Sequence, residues 1–217
     1  MLIDAIVLTG GRSARLDSIP KSEFTVDGVT LLERTLAAVD GARRIVVVGP
    51  QPARAIPDAV LLVRESPPFS GPVAGIAAGL DALDGASATP SEAILLLACD
   101  MPRVDGAIAA LEQALAAHPQ ADGAIAVDAD GREQPLAACY RTEAIVEAVA
   151  RHRAEGLLDS LRVFRLIEDL ALVPVAVPAG TTSDVDSWAD AARLSALPPP
   201  TTPEPLYSTA DEGTSHE

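Results

Sequence analysis

Short apolar runs separated by longer helix-forming segments recur along this chain, and they constrain its fold more than any other feature. Buried strands are predicted for Ile3–Leu8, Ala93–Ala98 and the runs at 44–48, 59–63, 123–127, 135–140 and 172–177. Helices are predicted at 31–39, 72–83, 107–117, 142–153 and 187–194. Strands connected by crossover helices form a mostly parallel sheet with helices on both faces. The expected fold class is therefore α/β.

Two short motifs predict local structure near residue 30. Asp27-Gly28 lies within a segment of alternating apolar and polar residues, which favours a two-residue hairpin turn. Thr30 and Glu33 have the spacing of a capping box, so a helix is expected to begin directly after Thr30.

A chain of 217 residues is long enough for one domain with its own core. Residues 198–217 are rich in proline, threonine, serine and acidic residues, and they contain too little apolar surface to order themselves. We therefore expect a folded domain at 1–197 and a disordered tail at 198–217.

Charge and composition exclude several classes of partner. The formal net charge is −15 and basic residues form no stripe, which disfavours nucleic acids and anionic membranes. No apolar run is long enough to span a bilayer, and the first residues lack the pattern of a signal peptide. Two cysteines, Cys99 and Cys139, cannot form a disulfide framework. These features predict a cytoplasmic protein that binds neither nucleic acid nor membrane.

Lysine occurs once, at Lys21, whereas all other basic residues are arginine. Genomic base composition can produce an arginine bias. A single lysine retained against that bias suggests a site that needs a compact ammonium group.

A glycine-rich turn follows the first predicted strand. The segment consists of Leu8, Thr9, Gly10, Gly11, Arg12 and Ser13. Adjacent glycines allow backbone N–H groups to approach a phosphate closely, and Arg15 and Lys21 could then neutralise its charge. The alternative is an ordinary glycine turn with surface cations. The sequence contains neither a Walker motif nor G-x-G-x-x-G.

Acidic residues follow two of the later segments. Asp100 comes directly after the strand 93–98, at the end where α/β enzymes place ligand-binding groups, and a carboxylate there suits Mg²⁺. Asp184 and Asp186 share one face of an extended segment and could supply a second metal ligand. Helix capping is the alternative role for each of these carboxylates.

A fourth candidate segment starts the helix at 72. Gly71 and small residues after it would let a ligand lie against the helix N-terminus, and Glu65 just upstream could accept hydrogen bonds from a base. Packing at a helix start is the alternative. The phosphates of a nucleotide beside Asp100 and Asp186 would be repelled by the two carboxylates. Each like-charge contact near 4 Å costs about 4 kcal/mol at an effective dielectric of 20. Such a site therefore needs Mg²⁺, Arg15 and Lys21.

These segments together resemble the motifs of the MobA-like nucleotidyltransferases. Residues 8–21 resemble the signature L-A-G-G…R-M-G…K, 71–75 resemble G-P-L-A-G, and 98–102 resemble P-C-D-x-P. Residues 134–136 resemble the segment that lies over the acceptor, and 184–190 resemble the late motif D-x-D-T-P-E-D. The ordered set lies within residues 3–194, which is nearly the whole expected domain. Within the family, the motifs resemble those of the molybdenum cofactor guanylyltransferases.

The resemblance implies a Rossmann-like three-layer α/β/α fold of the nucleotide-diphospho-sugar transferase type. It implies Mg²⁺-dependent transfer of GMP from GTP to molybdopterin with release of pyrophosphate, and molybdoenzyme maturation proteins as further partners. The implied catalytic residues are Lys21, Arg15 and Asp100, and the implied metal ligands are Asp100 and Asp186. The implied nucleotide-binding residues are Leu8, Thr9, Gly10, Gly11, Arg12, Ser13, Lys21, Glu65, Gly71 and Asp100.

Departures from the family motifs leave two alternatives open. Asp17 stands where the family usually has glycine, so a carboxylate beside the phosphates could weaken nucleotide binding. A non-catalytic nucleotide or molybdopterin carrier is therefore one alternative. Asp184 and Asp186 resemble cytidylyl-type relatives, so the other alternative is a cytidylyl- or other nucleotidyltransferase that acts on molybdopterin or on a different phosphorylated acceptor.

Overall fold

A seven-stranded sheet forms the centre of the protein in a computed structural model that describes residues 1–11, 13–86 and 89–200. In chain order the elements are β1 (Ile3–Leu8), β2 (Thr25–Val26), β3 (Val29–Thr30), α1 (Leu31–Ala38), β4 (Ile45–Val48), β5 (Val60–Val63), α2 (Pro72–Gly85), β6 (Ala93–Ala98), α3 (Asp105–Ala117), β7 (Gly123–Val127), β8 (Glu133–Arg141), α4 (Thr142–Ala154), α5 (Val163–Leu166), β9 (Leu172–Ala176) and α6 (Trp188–Arg193). Short 3₁₀ turns form at Ala14–Leu16 and Lys21–Glu23.

The sheet has the strand order β5-β4-β1-β6-β8-β7-β9. Every neighbouring pair is parallel except the two pairs that contain β8, which runs antiparallel to β6 and β7. The expected α/β class with a mostly parallel sheet is confirmed. The sequence did not predict α5 or the two 3₁₀ turns, since all three are too short to show a periodic pattern.

Alternating side chains of the sheet pack into two cores, one on each face. Ala5 and Val7 of β1 contact the layer formed by α1 and α3. Ile6 and Leu8 contact the layer formed by α2, α4 and α5. This alternation follows from the two-residue period of a strand, and it produces the expected three layers.

The hairpin and capping motifs near residue 30 form as predicted. Asp27 and Gly28, both with positive φ, connect β2 and β3. The Thr30 side chain accepts a hydrogen bond from the Glu33 backbone, and the Glu33 carboxylate accepts one from the Thr30 backbone. Because both groups are satisfied, α1 begins where the sequence places it.

Helix α2 lies unusually close to the sheet. A Cβ atom at Gly79 would be 2.9 Å from Cγ2 of Ile6, so only glycine permits this approach. The close packing fixes the N-terminal end of α2 near the carboxyl ends of β1 and β4. No helix within the described ranges is long and apolar enough to cross a membrane.

The C-terminal part of the expected domain pairs with the early hairpin. Thr25 and Leu197 exchange two backbone hydrogen bonds of 2.8 Å. Most of the expected tail, residues 201–217, lies outside the described residues, so the boundary at 197 stays a prediction.

A buried carboxylate lies near the start of β1. Asp4 accepts hydrogen bonds from Arg43 and Arg44, and its side chain is only 1% exposed. Burial opposes ionisation of this carboxyl, but the hydrogen bonds from the two arginines outweigh burial and lower its pKa below the ordinary value of 3.8. The ionised form of Asp4 therefore stabilises the fold.

We expect Asp4→Asn to lower the free energy of unfolding at pH 7 by about 3–5 kcal/mol, because two arginines lose a common charged partner. The pKa of Asp4 is lower in the folded protein than in the unfolded chain. Its contribution is thus complete above pH 3.8 and is lost as the pH falls through the lower folded value. Urea unfolding of wild type and variant at a series of acidic pH values measures both free energies of unfolding. The difference between them should shrink as the pH falls. The control Asp169→Asn, which removes an exposed partner of Arg151, should cost less than about 1 kcal/mol; equal costs would contradict the assignment.

Candidate functional site

A cavity of about 510 Å³ opens at the carboxyl ends of β1, β4, β5 and β6. It is lined by the described residues of the implied catalytic, nucleotide-binding and metal sets, namely Leu8, Thr9, Gly10, Gly11, Ser13, Arg15, Lys21, Glu65, Gly71, Asp100 and Asp186. Arg12, the remaining predicted residue, lies outside the described residues. The cavity has the position at which open α/β sheets bind ligands.

The glycine turn leaves β1 and curves back through residues with positive φ. Gly11 has a φ of 151°, Ser13 of 43°, Asp17 of 51° and Ser18 of 62°. The Ser13 carbonyl accepts hydrogen bonds from the backbone of Leu16 at 2.8 Å and of Ser18 at 3.1 Å, which close the turn.

Asp17 occupies a left-handed position in this turn. Glycine adopts that conformation most easily, and aspartate is one of the few other residues that tolerate it. The residue is exposed and does not line the cavity. The position of Asp17 therefore does not support the expected repulsion between its carboxylate and a bound phosphate.

Thr9 attaches the glycine turn to β4. Its backbone N–H and its side-chain hydroxyl both donate to the Val48 carbonyl, at 2.9 and 3.1 Å. A Cβ atom at Gly49 would be 2.1 Å from the Thr9 hydroxyl oxygen and 3.0 Å from the Gly10 nitrogen. Gly49 therefore leaves the space that the Thr9 side chain fills.

A third, smaller core joins the glycine turn to the C-terminal segment. It is formed by Leu16, Phe24, Leu31, Val185, Ala191, Leu194 and Ala196. The Phe24 and Trp188 rings also pack together, with centroids 5.8 Å apart. Because Val185 is buried in this core, Asp184 and Asp186 on either side of it are held next to the cavity.

Asp100 and the C-terminal segment are also joined by the backbone. The Val185 N–H donates to the Asp100 carbonyl at 3.0 Å, and the Cys99 N–H donates to the Leu8 carbonyl at 3.0 Å. The ends of β1 and β6 and the segment around Val185 therefore form one continuous hydrogen-bonded wall.

Lys21 lies between two of the predicted carboxylates. Its ammonium donates to Oδ2 of Asp100 at 2.7 Å and to Oδ1 of Asp186. Burial alone would lower the pKa of Lys21, but the charge of Asp100 and the hydrogen bonds to both carboxylates outweigh burial and raise it. The lysine is therefore fully charged at neutral pH.

Asp184 joins Asp100 and Asp186 in an acidic cluster. One carboxylate oxygen from each of the three residues lies within 4.8 Å of the others. Burial raises the pKa of Asp184, and the neighbouring charges of Asp186 and Asp100 raise it further. Hard carboxylate oxygens in this arrangement suit Mg²⁺. The sequence suggested the pair Asp184 and Asp186, but it did not show that both would meet Asp100.

Glu65 lies at the opposite side of the cavity, beyond the end of β5. Its carboxylate is buried and accepts a hydrogen bond from the Phe69 backbone at 2.8 Å. A Cβ atom on Gly10 would be 3.9 Å from Oε1 of Glu65, so the carboxylate lies next to the glycine turn. The N-terminus of α2 at Gly71 and Pro72 completes this end.

Several further cavity residues had no individual role assigned from the sequence, although all except Val48 and Phe69 lie within the motif segments 8–21, 71–75, 98–102 and 134–136. They are Ala14, Val48, Phe69, Pro72, Gly75, Ala98, Cys99 and Leu136. Most are small or apolar and carry no chemical signal. Leu136 lines the cavity from the face of the sheet that also carries Ala138 and Tyr140. The Cys99 thiol is buried, which raises its pKa and keeps it protonated, as expected for a packed thiol.

Comparison with known proteins identifies the family. The model of the MobA-like NTP transferase domain matches residues 5–171. This chain belongs to that family. The probable molybdenum cofactor guanylyltransferase of Opitutus terrae is 32% identical over 185 residues, which is 84% of this chain and 88% of the relative. The expectation of a nucleotidyltransferase is confirmed, and the carrier alternative is not supported.

Solved structures show the same fold. The molybdopterin-guanine dinucleotide biosynthesis protein A of Archaeoglobus fulgidus superposes with a TM-score of 0.65 at 20% identity, covering 88% of this chain and 96% of the other. The 2-C-methyl-D-erythritol 4-phosphate cytidylyltransferase of Francisella tularensis superposes with a TM-score of 0.69 at 14% identity. The match covers 90% of this chain and 99% of the other. Since their names refer to different bases, the shared Rossmann-like fold does not select the nucleotide.

We expect Gly49→Ala to displace Thr9 and the glycine turn, because the new Cβ would overlap the Thr9 hydroxyl. Overpacking of this kind costs about 1–3 kcal/mol. Thermal unfolding and nucleotide titration measure the loss, and Thr9→Ala added to Gly49→Ala should recover part of it. A Cβ atom at Gly41 would have no neighbouring atom within 4 Å, so Gly41→Ala is the matched control. Equal behaviour of the two single variants would contradict this packing.

Proposed function

We propose that this protein is a cytoplasmic, Mg²⁺-dependent transferase that moves GMP from GTP to molybdopterin and releases pyrophosphate. One observation carries the proposal: the Lys21 ammonium lies between the Asp100 and Asp186 carboxylates, in the same cavity as the Gly10-Gly11 turn. Cation, carboxylates and exposed backbone are the groups that a magnesium–triphosphate substrate needs.

The glycine turn would hold the triphosphate. Gly10 and Gly11 are exposed, so their backbone can approach phosphate oxygens closely. Arg15 is exposed at the cavity, where its guanidinium can pair with the outer phosphates. Lys21 would stabilise the charge that develops on the α-phosphate during transfer.

Asp100 and Asp186 would hold Mg²⁺, with Asp184 as a third carboxylate in reach. The chemistry of these ligands fits Mg²⁺. Oxygens of three carboxylates lie within 4.8 Å of one another, and carboxylate oxygen is the protein ligand that Mg²⁺ prefers. When bound, Mg²⁺ would neutralise negative charge of the triphosphate.

In the transfer step, an oxygen of the terminal phosphate of molybdopterin attacks the α-phosphorus of GTP in line. A new P–O bond forms to that oxygen, the bond from the α-phosphorus to the bridging oxygen breaks, and pyrophosphate leaves with that electron pair. The attacking phosphate is already ionised, so no general base is required. The residues of the site therefore act by positioning and charge stabilisation.

Glu65 would select the base. Guanine presents two adjacent N–H donors on its Watson–Crick edge, and an ionised carboxylate has acceptor sites for both. One oxygen of Glu65 accepts from the Phe69 backbone, which orients the carboxylate toward the cavity. The neighbouring Gly10, Gly71 and Gly75 leave room for a flat purine.

Cytidylyl transfer is the second candidate function. The observation that favours it is the acid pair Asp184 and Asp186, which resembles cytidylyl-type relatives. Cytosine offers one amino group to Glu65 where guanine offers two adjacent donors, so nucleotide binding separates the candidates.

We expect GTP to bind in the presence of Mg²⁺ more tightly than CTP in calorimetric titrations. Glu65→Gln should weaken GTP binding roughly tenfold or more, because a charged acceptor is replaced by a neutral amide. Glu133→Gln, at the exposed start of β8, is the control and should bind like wild type. Selective binding of CTP would move the protein to the cytidylyl branch.

We expect Lys21→Ala to lower turnover by roughly 10²–10³, as for the loss of one preorganised stabilising group. Pyrophosphate release with GTP, Mg²⁺ and molybdopterin measures the effect. Arg151→Ala removes an exposed ion pair on α4 and should leave turnover unchanged. Wild-type turnover in Lys21→Ala would remove the lysine from the reaction.

A further inference from the structure

We infer that Lys21 couples the binding of nucleotide to the binding of metal. In the nucleotide-free protein, the ammonium takes carboxylate oxygens that a divalent cation would need. The metal then binds tightly only when phosphates draw the lysine away from Asp100 and Asp186. This inference rests on the proposed function, since it assumes that these carboxylates hold Mg²⁺.

The contacts of Lys21 place a cation inside the acidic cluster. Its ammonium is 2.7 Å from Oδ2 of Asp100 and also donates to Oδ1 of Asp186. The side chains of Lys21 and Asp100 are 21% and 17% exposed, so water screens this pair only partly. The lysine already supplies the charge compensation that a metal would supply.

A divalent cation at the same oxygens would meet the ammonium at short range. Two positive charges a few ångströms apart repel strongly in a partly buried site. The carboxylates can therefore hold the ammonium or the metal in this position, but not both. Metal entry requires Lys21 to move.

The cavity offers the lysine a second position. Lys21 and the Gly10-Gly11 turn line the same cavity, so a phosphate held by the turn would lie in the space that the lysine already borders. The four-carbon stem of lysine is flexible enough for such a change. The nucleotide then raises the affinity for the metal, and by linkage the metal raises the affinity for the nucleotide by the same factor.

Arg15 is a second cation at the cavity, and its contacts differ from those of Lys21. It lines the same cavity, yet it forms none of the salt bridges found within the described residues. A competition that is specific to Lys21 therefore differs from a general effect of positive charge near the cluster, and the two variants separate these explanations.

The test is a titration of the nucleotide-free protein with Mn²⁺ alone, in which electron paramagnetic resonance measures the free ion. Lys21→Met should bind Mn²⁺ roughly tenfold more tightly than wild type, because the competing cation is gone. Lys21→Gln, a polar neutral variant, should show the same gain if Lys21→Met does not fold. Arg15→Met should remain near the wild-type value.

Equal or weaker Mn²⁺ binding by the folded lysine variants would overturn the inference. A purely structural lysine predicts that weakening, because its removal would loosen the three carboxylates. Absence of Mn²⁺ binding in both the wild type and the lysine variants would overturn it as well. So would a gain in Arg15→Met as large as in Lys21→Met, since the effect would then be one of overall charge.

Pyrophosphate release by the wild type tests the proposed function separately. If the wild type releases no pyrophosphate but Lys21→Met binds Mn²⁺ more tightly, the competition between Lys21 and the metal stands and the proposed reaction fails. If the wild type turns over and the lysine variants bind Mn²⁺ no more tightly, the reaction stands and the coupling fails.

Discussion

The ion pairs of Lys21 with Asp100 and Asp186 join three distant parts of the chain at one point. The partners are 79 and 165 positions away in sequence, at the end of β6 and just before α6. An ammonium removed from water would be unfavourable alone, as would three carboxylates within 4.8 Å of one another. Each set of charges is stable in this position because the other is present.

Apolar packing brings these charges together and keeps them there. The third core buries Leu16 and Phe24 from the early turn and hairpin against Val185 and Leu194 from the C-terminal segment. Burying side chains of this size contributes about 1.5–3 kcal/mol each, which exceeds the value of an exposed ion pair. The electrostatic site is therefore a consequence of the fold, because hydrophobic packing builds the surface on which the ammonium and the carboxylates meet.

Much of the architecture could be predicted from local pattern. Ile3–Leu8 and Ala93–Ala98 are strands with the predicted bounds, and Thr30 with Glu33 starts α1 as predicted. These features depend on neighbours within a few residues, so local sequence contains the information. The direction of β8, the register shift between β7 and β8 and the short α5 depend on partners elsewhere in the chain. No local pattern specifies them.

The sequence alone determined the fold class, the glycine turn, the single lysine and the candidate carboxylates, because residue type and spacing encode backbone conformation and charge. Only the tertiary structure decided that Asp184 joins Asp100, that Lys21 lies between Asp100 and Asp186, and that Asp17 does not line the cavity. Those facts depend on distances between residues far apart in the chain. Such distances are set by which apolar surfaces pack together.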